Sequence, residues 1–233
     1  MTPVQEHVLK FAIALPWWQV AIILVGFPAL YLCNYFTPWT KGLFKERNHS
    51  YFFPFSCSLA FLHWASVGLV VLFVTQAGGQ LSDIGLNMSS SRFAMMLGTF
   101  ALIGTVLVLW RQSAPGNRKS RLPEIMLVML PVTFGERVFF VFMCVTAGIC
   151  EEVVYRGFGI CALCGNGVPM WLTVILVSIA FVMIHGLWSV RWLFLPYFIW
   201  GVLYSGLFLW AQSLTPGIWL HTLWDMVIVL GSY

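Results

Sequence analysis

Apolar runs of membrane-crossing length, separated by short polar connections, dominate this chain. Crossing a bilayer takes about 20 consecutive apolar residues. Runs at 17–36, 53–75, 93–110, 138–163, 170–188, 193–211 and 216–231 reach or approach that length. The pattern predicts an all-α, polytopic transmembrane helical bundle of about seven spans. Between the third and fourth runs, EIMLVMLPVTFGER (124–137) is too short to cross, is broken by Pro131 and ends in Glu136 and Arg137. It is expected to form an interfacial or re-entrant segment. GNGVP at 165–169 is a turn signal between the fourth and fifth runs, and predicts an antiparallel hairpin there.

Composition supports the same class. Of the 233 residues, 60% are hydrophobic and only 9% charged, too few to cover a water-soluble globule. The first fifteen residues hold one lysine and no short apolar core followed by a small-residue cleavage site, so no removable signal peptide is expected. Trp17 and Trp18 suit an interfacial aromatic belt or ordinary helix-end packing equally well.

The net charge of +4 is concentrated in two loops: Lys41, Lys45 and Arg47 in one, Arg111, Arg118, Lys119 and Arg121 in the other. Two spans separate them, which puts 41–47 and 111–121 on one side. The positive-inside rule makes that side cytoplasmic and the N-terminus external, as expected for an integral multi-pass protein of a bacterial inner membrane. Orientation or contact with anionic lipid explains such short juxtamembrane clusters better than nucleic-acid binding. The six cysteines fall in or near predicted spans and form no disulfide framework. Cys161 and Cys164 make a C-x-x-C without a second pair to complete a zinc site, and read as apolar packing.

After Arg137 the ionisable side chains, cysteine and tyrosine aside, are Glu151, Glu152, Arg156, His185, Arg191, His221 and Asp225. All but Arg191 lie in predicted spans, where each needs a partner or water. Residues four apart share a helix face, so Glu152 and Arg156 can pair while Glu151 is left over, an acid suited to general-base work. A structural Glu/Arg network is the alternative. In FVMIH, Phe181 and His185 share a face, and residue 168, midway between 151 and 185, falls in the GNGVP turn. A hairpin there brings Glu151 and His185 to similar depth, where a water between them can be deprotonated. In HTLWD, His221 and Asp225 share a face. A carboxylate there fixes the imidazole and can aim a donor at a developing oxyanion, or the two form a structural pair. His221 lies only about two turns from the QSLTP turn, so reaching His185 requires a tilted or offset last helix. His63, with no acid or second histidine beside it, reads as a packing residue.

These motifs, EEVVYR as E-E-x-x-x-R, FVMIH as F-x-x-x-H and HTLWD as H-x-x-x-(N/D), occur in order within hydrophobic helices. The set resembles the CaaX protease and bacteriocin-processing enzyme family, glutamic-type intramembrane endopeptidases. The context GVLYSGLFLWAQSLTPGIWLHTLWD also resembles that family's approach to its last motif, and the resemblance covers roughly 124–231. It divides the chain into a three-span region, 1–123, without recognised motifs and a catalytic core, 124–233. It implies that Glu151 and His185 activate the attacking water, that His221 and Asp225 stabilise the oxyanion, and that Glu152 and Arg156 support the site. No cofactor is implied, and the substrate is a membrane-associated protein or peptide met in the lipid bilayer or at its surface. The family often has asparagine at the position of Asp225. An ionised aspartate cannot donate to an oxyanion, so Asp225 is either protonated or orients His221.

Three other readings use the same residues. A zinc peptidase would place His185, His221 and an acid on the metal, but H-E-x-x-H is absent. A non-catalytic immunity, chaperone or scaffold protein would keep the fold and its polar network without cleaving. A transporter would be expected to carry repeated half-structures, and none is apparent in the sequence.

Overall fold

The computed structural model describes residues 12–46, 48–87, 130–185 and 191–230. The described residues are helical and contain no strand, the arrangement that satisfies backbone polar groups within lipid. The helices are α1 (Trp17–Asn34), α2 (Pro38–Phe44), α3 (Phe52–Gln76), α4 (Phe134–Gly165), α5 (Met170–Ile184), α6 (Arg191–Ala211) and α7 (Thr215–Leu230). Among the described residues four stretches are long and apolar enough to cross a membrane: Trp17–Asn34, His49–Gln76, Phe134–Gly165 and Leu193–Ala211. The expected run at 93–110, the basic loop at 111–121 and residues 124–129 lie outside the described residues. Helices α5 and α7 have 15 and 16 residues. Helix α5 ends at Ile184 with His185 at its C-cap, and the last residues of the expected span, 186–188, lie outside the described residues.

The start of α4 also differs from expectation. Thr133 Oγ1 accepts from the Glu136 amide, and Glu136 Oε2 accepts from the amides of Thr133 at 3.1 Å and Val132 at 2.6 Å. This capping box makes Glu136 and Arg137 first-turn residues of a crossing helix rather than the end of a separate segment.

Polarity is inverted relative to a protein folded in water. Phe134 is 82% exposed and Phe61 72%, while Arg156 is fully buried. Apolar side chains face lipid and the ionisable ones turn inward, where only partners make their burial tolerable. Trp17 and Trp18 are each 57% exposed, and Trp18 packs edge-on against Phe73.

Two close approaches position the site. A Cβ on Gly148 of α4 would collide with Thr222 Oγ1 of α7, and one on Gly217 of α7 would lie 2.8 Å from Glu152 Oε2. Small residues at such contacts let helix backbones come together, and here they press the start of α7 against the acidic turn of α4. The turn between α4 and α5 contains Gly167 at φ 84°, a left-handed conformation that suits glycine. Beyond it Phe181 of α5 packs edge-on against Tyr155 of α4, with ring centroids 5.8 Å apart, so the expected hairpin is present. All six cysteines are free.

Candidate active site

From Glu152 to Ile160, α4 widens into a π-helical stretch, a departure often found at functional sites. The angular step per residue is smaller there than the about 100° of an α-helix. Adjacent acids therefore diverge less, and both reach the same imidazole. Glu152 Oε1 is 3.0 Å from His221 Nδ1, while Glu151 Oε2 is 3.7 Å from His221 Nε2. The last helix needs no unusual depth, because the approach at Gly148 and Gly217 brings His221 directly to the two acids.

Glu152 is held in turn by Arg156, whose Nη1 donates to Glu152 Oε1 at 2.9 Å. The Arg156 guanidinium lies 4.4 Å from the centroid of Phe181 and 5.2 Å from that of Tyr204. Phe181 also flanks His185, with ring centroids 4.8 Å apart, and His221, at 5.9 Å. The aromatic residue of FVMIH is thus a wall shared by the buried cation and two histidines.

Each of three histidines has its Nδ1 engaged. His185 Nδ1 donates to the Phe181 carbonyl at 2.9 Å, His63 Nδ1 donates to the Leu59 carbonyl at 2.8 Å, and His221 Nδ1 faces Glu152. His63 Nε2 is 3.0 Å from Glu151 Oε1. Its sequence reading as a packing residue without an acid is therefore overturned. Asp225 Oδ2 stands 3.8 Å from His221 Nε2, beyond hydrogen-bonding reach. The carboxylate that fixes the His221 ring is Glu152, not Asp225.

Glu151, His185, His221, Asp225 and His63 all line one cavity of about 400 Å³. Its remaining walls are mainly apolar and aromatic, with Phe140 and Met143 from α4, Tyr197 and Trp200 from α6 and Trp224 from α7. An apolar chamber with a few convergent polar groups at one place is the usual form of a small-molecule or peptide site. Glu151 Oε2 is buried without a hydrogen-bond partner, so one carboxylate oxygen is uncommitted. Among the described residues no group of three His, Cys, Asp or Glu side chains is arranged to hold a metal ion.

Fold and site together define a polytopic helical membrane protein with an acid and imidazole centre enclosed in its bundle. Residues 133–227 match the family model described as type II CAAX prenyl endopeptidase Rce1-like, so this segment is similar to that family of membrane endopeptidases. Neither a curated protein nor a solved structure matches the chain. The matched stretch contains Glu151, Glu152, Arg156, His185, His221 and Asp225, but not His63.

Proposed function

We propose that this protein is an intramembrane endopeptidase that hydrolyses a peptide bond of a membrane-associated protein or peptide, using a water activated by Glu151 and His185. The carrying observation is the uncommitted Glu151 Oε2, in a cavity that also receives His185 and His221. With Nδ1 on the Phe181 carbonyl, a neutral His185 presents the Nε2 lone pair and can hold the water. Glu151 Oε2 takes the water's proton as its oxygen bonds to the substrate carbonyl carbon. The resulting oxyanion accepts from His221 Nε2–H, a donor fixed by the bond from Nδ1 to Glu152. Collapse breaks the C–N bond, and the proton on Glu151 passes to the leaving amine.

Asp225 acts by charge, its carboxylate facing His221 Nε2 from 3.8 Å away. No step is routed through a metal. The apolar walls fit a substrate segment entering from lipid, and the basic residues Lys41 and Lys45 support a cytoplasmic position for the α2 end of the bundle.

Cells expressing Glu151→Gln in place of the wild type test this reading. Uncleaved membrane proteins accumulate in them as they do in cells lacking the chain. Normal processing by a folded Glu151→Gln protein overturns it.

A further inference from the structure

His63 and His185 are fixed alike and differ in one respect. Each directs Nδ1 to the carbonyl four residues earlier. A carbonyl only accepts, so both Nδ1 atoms carry a proton and Nε2 is the variable position of each ring. His63 Nε2 lies 3.0 Å from Glu151 Oε1 with both side chains buried, whereas no carboxylate of the described residues is at ion-pairing distance from His185. A hydrogen bond between His63 and Glu151 needs one proton between Nε2 and Oε1. A neutral ring in this tautomer beside a carboxylate has none to offer, so the pair carries one more.

Charge balance places that proton on the imidazole. The cluster sets Glu151, Glu152 and Asp225 against Arg156, and uncompensated charge within hydrocarbon is costly. Two imidazolium rings complete the balance, and within this cluster His63 and His221 are the histidines with carboxylates within 4 Å. The other titratable groups around the pair are Tyr31 from α1, Cys144, Cys150 and Tyr155 from α4, His185 beyond α5, and Tyr197 and Tyr204 from α6, with His221 and Asp225 from α7 already counted. The tyrosines and thiols add no charge at neutral pH.

We infer that His63 is a positioning residue for Glu151: as an imidazolium it ties down Oε1 and leaves Oε2 as the oxygen that receives the water's proton. Tyr31 packs edge-on against the His63 ring, with centroids 5.2 Å apart, and holds it in this orientation. The His63 proton is not consumed, since the proton from water passes to Oε2 and then to the amine. This inference rests on the hydrolytic reading of Glu151 and assigns a role to a helix that the family match does not reach.

Heteronuclear NMR of the full-length protein with isotope-labelled histidine, in micelles at neutral pH, tests the pairing without a substrate. His63 signals are assigned by their loss in His63→Gln. Both His63 ring nitrogens are protonated in the wild type, and the ring becomes neutral in Glu151→Gln. A neutral His63 in the wild type overturns the inference. Failure of the hydrolytic reading is distinct, because it shows as cleavage by Glu151→Gln whatever the NMR result. With an internally quenched farnesylated CaaX peptide as probe, His63→Gln, which keeps an N–H toward Oε1, retains kcat within about tenfold at unchanged KM. His63→Leu loses roughly 100-fold in kcat, the scale of a misplaced catalytic group. Equal kcat for wild type and His63→Leu overturns the positioning role.

Discussion

Glu152 Oε1 lies 3.0 Å from His221 Nδ1 and 2.9 Å from Arg156 Nη1, so one carboxylate oxygen joins the acidic turn of α4 to the last helix. Both Glu152 and Arg156 are buried, and removing one partner leaves the other charge uncompensated. Glu152→Ala is expected to destabilise the protein by about 3–5 kcal/mol, the usual cost of breaking a buried ion pair. Thermal unfolding in detergent measures this. Glu152→Gln/Arg156→Met, which removes both charges, loses less stability than Glu152→Ala.

The approach of α4 and α7 at Gly148 gives a second prediction. Because any side chain there meets Thr222, Gly148→Val pushes α7 outward and carries His221 away from both acids. Activity falls together with the melting temperature. Gly148→Ala is partly restored by Thr222→Ala, since the clashing hydroxyl is then gone. Equal activity and stability in wild type and Gly148→Val contradict the packing account.

Under the proposed mechanism Asp225 and His221 have different roles. Asp225 makes no hydrogen bond to His221, and an amide at this position can itself donate. Asp225→Asn therefore keeps kcat within about tenfold, while His221→Ala loses roughly 10²–10³, the range for removing an oxyanion donor. Steady-state kinetics on the same peptide probe compares the two. A larger loss in Asp225→Asn than in His221→Ala reverses the assignment.

The proposed chemistry uses side chains alone. Treating the purified protein with a chelator, with metal content measured before and after, is expected to leave cleavage unchanged. Loss of activity on metal removal, restored by Zn²⁺, supports the zinc reading in its place.

Much of the site was legible because local spacing survives folding. Glu152 and Arg156 pair at i, i+4 as anticipated, and the GNGVP turn brings Glu151 and His185 to one cavity. The motifs also pointed to the family later matched over 133–227. What remained hidden depends on contacts between distant segments. His63 meets Glu151 across 88 residues of sequence, and no spacing rule spans such a gap. A signal was nonetheless present: His63 is the one charge-capable side chain, cysteine aside, in the 25-residue apolar helix α3, and its burial in lipid demands a partner. The π-helical stretch has no comparable mark in its residues. It explains why two adjacent acids serve one histidine, which an ideal α-helix argues against. His221 seemed too shallow because helix length alone was counted, whereas Gly148 and Gly217 set how closely α7 approaches α4.

Water activation by Glu151 is tested most directly with purified protein in proteoliposomes that also carry membrane proteins from cells lacking the chain. Mass spectrometry then reads new peptide termini over time. New termini form with the wild type and are absent with Glu151→Gln of equal thermal stability. The same termini at the same rate with both proteins contradict a hydrolytic role for Glu151.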